Sequence, residues 1–295
     1  MMKNNKGIVL VLVLMVVAII TAMVVEFAYG VYVSTSALHN SESSQRLSLA
    51  ARSATQLGAR LIAEKAALKP YTPPPGIVEL SQKIPFEEIE GTITIRIEDE
   101  TARFNVNALV NANGTLNDAA YKSFVRLLKA LDLRTEIADR IVDWIDKDNI
   151  PRLADSEQGA KNDYLDSLDE ILSVPGIGKE AFERLQPYVT IYGNRLVDIN
   201  TAGFPVIMSL SDAIDRRMAE DLIRYREITP FEKIQDILKV AGFETVGMPI
   251  QGYISFKSST FRVIATATSG DVKRIIESVM DIAGTTRTVR YWREY

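Results

Sequence analysis

The chain has 295 residues, 47% of them hydrophobic and 24% charged, with a formal net charge of −4. That balance gives no bulk attraction to nucleic acid, and the absence of cysteine excludes disulfides, thiolate metal sites and cysteine nucleophiles. His39 is the one histidine, so histidine triads and multi-histidine metal centres are excluded, and most hydrolase chemistry is hard to build from what remains.

The first element is the apolar run Ile8–Val25, 18 residues broken only by Thr21. A run of this length suits one membrane-spanning helix. It is too long for the apolar region of a cleaved secretory signal, and no convincing A-x-A site follows it. Lys3 and Lys6 precede it with no acid before Glu26, which predicts a cytoplasmic N-terminus and a bulk outside the cytoplasm. From Val31 to Leu68 the pattern stays helical, with Leu47, Ala50, Ala54, Leu57 and Leu61 at spacings of three and four. One helix from Ile8 to about Leu68 is expected, its first half in lipid and its second half packed on a domain.

Lys69–Pro85 reads as a linker, because Pro70, Pro73, Pro74, Pro75 and Gly76 cannot lie inside a helix. Thr92–Glu98 alternates with its isoleucines on one face and reads as a strand. Ala102–Val106 reads as a second strand, with Asp99–Glu100 as the corner of a hairpin. Helical patterning then runs to about Gly252. Strands are expected again at Thr260–Thr268, Val272–Ile282 and Thr285–Trp292, the first two joined at Ser269-Gly270-Asp271. The middle run also fits helical spacing. Separated strands can bury their faces only together, which predicts one α+β domain with a large helical insertion.

The insertion is duplicated. Glu170–Ile177 parallels Asp236–Phe243, Tyr188–Ile191 parallels Tyr253–Phe256, and Ile137–Trp144 parallels Met218–Tyr225. The offset is 66 at the glycines and 81 upstream, so the first copy carries about 15 extra residues within the acidic loop 146–166.

Val174-Pro175-Gly176-Ile177-Gly178-Lys179 matches a helix-hairpin-helix turn, whose amides can approach a DNA phosphate. Val197–Ala202, with Tyr225-Arg226 and Pro230-Phe231, resembles the helix-hairpin-helix domain of membrane-anchored DNA-uptake receptors. Residues 111–250 nevertheless carry 24 acids against 17 bases, and the second copy keeps only Gly242 of the turn. A hairpin used purely for packing is the better reading, and a nucleic-acid partner is disfavoured. In the acidic loop, Asp146, Asp148, Glu157 and Asp163 are candidate ligands for Ca²⁺, set against a plain solvated loop. EF-hand spacing is absent, with Ile150 at its third ligand place. Trp144 reads as core or a domain seam.

The basic leader ending in Gly7, followed without a gap by the apolar helix, resembles the type IV pilin and pseudopilin leader. That resemblance implies cleavage by a prepilin peptidase between Gly7 and Ile8, then methylation of Ile8. The family usually has Glu at the fifth mature position, where this chain has Leu12. In related filaments that carboxylate is thought to neutralise a neighbour's N-terminal ammonium, so a subunit with nothing above it loses no partner.

With that leader come Asp143-Trp144-Ile145-Asp146-Lys147-Asp148, Gly159-Ala160, Tyr164, Leu168-Asp169-Glu170 and Asn200-Thr201-Ala202. In this order they resemble the minor pseudopilin K family of type II secretion. The resemblance implies a structural, non-enzymatic protein anchored once in the bacterial inner membrane, with a periplasmic domain. It implies minor pseudopilins I and J as partners at the tip of a pseudopilus, where the bulky helical domain prevents further addition. Some members bind Ca²⁺ in the acidic region; Lys161 and Asn162 stand where the family commonly has Glu and Asp. A type IV pilus minor pilin is the near alternative. The expected layout is a leader at 1–7 and a transmembrane helix at 8–30. The first part of a pilin-like domain follows at 31–107, the helical insertion at 108–257 and the returning strands at 258–295.

Overall fold

The computed structural model describes residues 6–84, 90–284 and 286–295. Lys3, Pro85 and Thr285, which the sequence reading assigned to the leader, the linker end and the start of the last strand, lie outside the described residues.

The chain opens on α1, Lys6–Leu68, an uninterrupted helix of 63 residues. At 1.5 Å per residue it is roughly 95 Å long. Next come β1 (Ile77–Lys83), β2 (Thr92–Asp99) and the short β3 (Phe104–Asn105). The helical block holds α2 (Asp118–Ala130), α3 (Glu136–Ile145) and α4 (Lys179–Leu185), then the two-residue strands β4 (Val189–Thr190) and β5 (Val197–Asp198). It continues through α5 (Phe204–Ser209), α6 (Arg216–Ile228), α7 (Ile234–Ile237), α8 (Phe243–Ile250) and β6 (Ile254–Ser255). The strands β7 (Thr260–Ser269), β8 (Val272–Ala283) and β9 (Thr286–Glu294) close the fold.

Five of the strands form one antiparallel sheet in the order β1-β2-β7-β8-β9. β2 and β7 are neighbours although the helical block separates them in sequence, which is the split sheet expected from the alternating patterns. The second half of α1 lies across this sheet. Leu47, Ala50, Ala51, Ala54, Ala59 and Ile62 pack on Ile95, Ile97, Val263, Ala265 and Ile276. Leu47, Ala50 and Ala54 are buried as expected, but Leu57 is exposed, and Ala51 and Ala59 are buried in its stead. Small residues let the helix come close. A Cβ on Gly58 would sit 2.9 Å from a methyl of Val263 and 3.1 Å from one of Ile95.

Two expectations are corrected. The linker 69–85 contains β1, an edge strand pairing Ile77 with Glu98 and Lys83 with Thr92. Of its residues only Val78 is even partly buried, so it lacks the alternation by which a strand is read. The hairpin of β2 with 102–106 does not form. The Asp99 carboxylate accepts from Thr101 N at 2.8 Å and caps a single 3-10 turn, Glu100–Ala102. Beyond it Phe104 stacks on Phe124, ring centroids 5.2 Å apart, and β3 pairs in parallel with β4. Phe104 thus joins the core of the helical block instead of the sheet. The ambiguous run 272–282 is strand β8, hydrogen-bonded on both sides.

The helical block has its own core, with Phe124, Leu127, Ile141, Leu185, Leu222, Phe231, Ile237 and Phe243 fully buried. Its duplication extends to hydrogen-bond geometry. Asn107 Nδ2 donates to Leu165 O at 3.0 Å, and Asn107 Oδ1 accepts from Leu165 N at 2.9 Å. Asn200 does the same with Phe231, at 2.8 Å in both directions. Each copy also has one short parallel strand pair, β3 with β4 and β5 with β6.

Candidate functional site

Three features carry functional content: the exposed half of α1, the acidic loop after α3, and the glycine hairpins. Among the described residues, the first half of α1 is exposed along its length. Its window of highest mean hydropathy, 3.4, is 0% buried, and Ile8 and Leu12 are 67% and 59% exposed. A continuous apolar cylinder of this length is stable only when something apolar surrounds it. Among the described residues this is the one helix long and apolar enough to cross a membrane. Gly7 lies inside the helix, and space is open around its Cα.

The acidic loop is anchored by Asp143, which is fully buried on α3. Its Oδ2 accepts from Arg152 N at 2.8 Å and from the Ser156 hydroxyl, and Arg152 Nε lies 3.3 Å from Oδ1. These bonds fold the loop back, so that Asp146, Asp148 and Glu157 offer carboxylate oxygens all within 4.8 Å of one another. Asp146 is 2% exposed. Burial pushes its carboxyl up to about 7, and the charges of Asp148, Glu157 and Asp143 add to that against the opposing Arg152. Asp146 Oδ1, Glu157 Oε1 and Asn162 Oδ1 are buried acceptors with no donor. Hard oxygen ligands in surplus, with repelling charges, are what a divalent cation satisfies. The residues therefore fit Ca²⁺.

Asp163 is not part of this group. It is exposed, and its carboxylate accepts from Tyr164 N at 2.8 Å. Lys161 places its ammonium 2.6 Å from Asp166 and 2.9 Å from Glu170, so these two acids already hold a cation of the chain's own. The sequence reading missed Asp143 as the anchor. Its spacing of three from Asp146, at the end of a helix, was the available signal.

The hairpins face inward. Gly176 has φ +83°, and Arg140 fills the place where a Cβ would stand. Arg140 donates to Pro175 O at 3.0 Å and Arg134 to Gly176 O at 3.1 Å. Val174, Ile177, Val240 and Phe243 at the two turns are buried. The turns serve to pack helices, as the charge balance indicates.

Residues 102–194 match one family model and residues 197–256 a second, both described as type II secretion system (T2SS), protein K; together they take in just over half of the chain. The chain is 30% identical over 213 residues to a type II secretion system protein K of Pseudomonas aeruginosa, covering 64% of this chain and 61% of that protein. It is 26% identical over 264 residues to that of Aeromonas hydrophila, covering 76% and 78%. A crystal structure titled as the GspK-GspI-GspJ complex of the type 2 secretion system from enterotoxigenic Escherichia coli contains a chain of the same fold. The TM-score is 0.73 at 18% identity, covering 87% of this chain and 98% of that one. The chain belongs to the type II secretion system protein K family.

Proposed function

We propose that the chain is the minor pseudopilin that caps a type II secretion pseudopilus, a structural subunit and not an enzyme. The observation that carries this reading is α1. One unbroken helix exposes an apolar half of spanning length and buries its other half under a sheet. Such a helix can bundle with its like in a membrane or filament while its far end holds a domain clear of the surface. The helical block is inserted between β2 and β7, beyond the sheet end of α1. A block of that bulk stops another subunit from stacking on top.

The same reading gives the topology and the partners. The leader is cut between Gly7 and Ile8, α1 crosses the inner membrane once, and the folded part lies in the periplasm. The relative with the same fold is a complex of K, I and J proteins, so the I and J pseudopilins of the same system are the expected partners. Asp146, Asp148 and Glu157 hold a calcium ion that ties the acidic loop to the end of α3.

The test is purification of the chain from cells expressing the prepilin peptidase with the I and J pseudopilins. A mature protein that starts at methylated Ile8 and co-elutes with I and J is the expected result. A protein that retains its leader, or is processed normally yet elutes alone, refutes the assignment.

A further inference from the structure

We propose that Asp198 keeps its proton in the folded protein and makes the seam between the sheet and the helical block a proton-held joint. Both side chains are buried, Asp99 at 3% exposure and Asp198 at 0%. Asp99 ends β2, where the chain leaves the sheet; Asp198 ends β5, inside the second helical copy. Asp99 Oδ1 accepts from Thr101 N and Oγ1, both at 2.8 Å, and its Oδ2 accepts from Thr201 Oγ1 at 2.5 Å. Asp198 Oδ1 accepts from Asn200 N at 2.9 Å, while its Oδ2 is buried with no hydrogen-bond partner.

The duplication says what that oxygen lacks. Asn105 holds the equivalent place in the first copy, its Oδ1 accepting from Asn107 N at 3.0 Å. Its other atom, Nδ2, is a donor and reaches Tyr192 O at 2.8 Å. The second copy has a carboxyl where the first has an amide, and a carboxyl becomes a donor only by keeping its proton.

Charge balance points the same way. Trp144 aligns with Tyr225, so Ile145 of the first copy aligns with Arg226 of the second. Arg226 is 5% exposed, donates to Ile199 O at 2.7 Å, and leaves Nε without an acceptor. The second copy has thus exchanged an Asn and Ile for an Asp and Arg. Asp99 adds a further buried acid at the seam, and burial favours the protonated form of a carboxyl. Burial, then the charge of Asp99, drives the Asp198 carboxyl well above its ordinary value, against the hydroxyl of Thr72, the amide of Asn200 and the charge of Arg226. Burial also raises Asp99, against the hydroxyls of Thr201, Ser258 and Thr101.

The neighbouring charges are engaged elsewhere. Glu98 and Glu100, on either side of Asp99, are paired with Arg96, Arg103 and Arg262. Glu227 acts on Arg226 from its own helix, and Lys257 donates to Lys69 O at 2.8 Å.

Four segments meet at the pair. Asp99 N donates to Gly76 O at 2.9 Å, and a Cβ on Gly76 would stand 2.6 Å from Thr201. Ser258 N donates to Thr72 Oγ1 at 2.7 Å. Loss of that proton leaves Asp198 a buried carboxylate, and the helical block loosens from the sheet.

The experiment follows unfolding of the full chain in detergent across pH for the wild type, Asp198→Asn and Asp198→Ala. Above the ordinary carboxylate value and up to the raised folded value, the native state holds a proton that the unfolded state has lost. Native stability therefore falls as pH rises, by up to about tenfold in the unfolding constant per pH unit. Asp198→Asn loses the share of that slope set by Asp198, keeping the part that Asp99 and Asp146 contribute, and is the more stable protein at high pH. Asp198→Ala is weaker than Asp198→Asn at every pH, having no acceptor for Asn200 N. An Asp198→Asn protein that tracks the wild type, or is the less stable at neutral pH, overturns the proposal. Hydrogen exchange on the wild type gives a reading that needs no variant. Protection of the Asn200 and Thr201 amides, relative to Leu127 in the core, is lost as pH rises. Protection that stays level with Leu127, or that Ca²⁺ restores at high pH, refutes a proton-held joint.

Discussion

Arg262 on β7 grips Glu100 with two nitrogens, Nη2 to Oε1 at 2.7 Å and Nε to Oε2 at 3.0 Å. Glu100 is wholly buried. It also accepts from Arg103 at 2.8 Å and from Thr190 of the helical block, again at 2.7 Å. One carboxylate thus joins the exit of β2, the returning strand and the first helical copy. Burial alone would raise its titration point, but Arg262 and Arg103 outweigh burial and hold the carboxyl below its usual range. A carboxyl depressed in the folded state contributes stability above its unfolded value, about 4.3, and loses it as pH falls through the folded value. Glu100→Gln is expected to cost about 2–4 kcal/mol at neutral pH, because Arg262 keeps only Glu277 as an anionic partner. It is also expected to flatten the acid side of the stability profile. Urea unfolding at pH 7 and near pH 4 measures both effects; equal acid losses in variant and wild type would contradict them.

Gly58 sits where α1 touches the sheet most closely. Its missing side chain is what lets Val263 and Ile95 approach. Gly58→Val adds three carbons to a space that already lacks room for one, so overpacking of about 2–3 kcal/mol is expected. Gly58→Ala is milder, since about 1 kcal/mol of helix propensity offsets part of the clash. Leu57→Val, one residue away on the exposed face, is expected to change stability by under about 0.5 kcal/mol. Thermal unfolding of the three variants should rank them in that order, and a neutral Gly58→Val would mean that the helix does not dock as described.

The acidic loop separates two kinds of carboxylate. Asp146→Asn and Glu157→Gln are expected to abolish the heat of Ca²⁺ binding in calorimetry, since each removes an oxygen of the converging group. Asp163→Asn is expected to leave that heat unchanged, because its side chain is exposed and turned to its own neighbour's amide. Without calcium, Asp146→Asn should stabilise the protein at pH 8, since it removes a buried charge surrounded by Asp148, Glu157 and Asp143. A calcium heat that survives Asp146→Asn would move the site elsewhere.

How far the sequence carried depended on whether a signal was local. The apolar run of α1, the isoleucine alternation of β2 and the turn at Gly270 are local patterns, and all three appear where they were read. The split sheet followed from them, because strands separated in sequence can bury their faces only together. β1 was invisible because it is an edge strand with an almost wholly exposed side-chain set. The buried face of α1 was read rightly at Leu47, Ala50 and Ala54 but misplaced at Leu57, because Ala51 and Ala59 bury by closeness and hydrophobicity alone ranks Leu57 above them. In the acidic loop the clustering of acids named Asp146, Asp148 and Glu157 but could not say that Asp163 points away. That depends on the loop being folded back by Asp143, a contact between residues far apart along the loop.

Leu12 offers a test of the tip assignment that the folded domain cannot. It lies in the uncovered half of α1, 59% exposed, with apolar neighbours on either side. If the chain is cut after Gly7, Leu12 is the fifth residue of the mature protein, where filament subunits usually carry Glu. A carboxylate at that depth costs about 2–3 kcal/mol of insertion unless a cation lies opposite. A subunit stacked below another has the neighbour's terminal ammonium to meet that cost; a capping subunit has none. Leu12→Glu should therefore weaken membrane retention without improving recovery of the complex with the I and J pseudopilins. Leu12→Ala, which stays apolar, should leave both nearly unchanged. Carbonate extraction of membranes and co-purification read the two quantities. A Leu12→Glu protein that partitions normally and incorporates along the filament, not at its end alone, would remove the reason for the missing acid and with it the case for a tip position built on this residue.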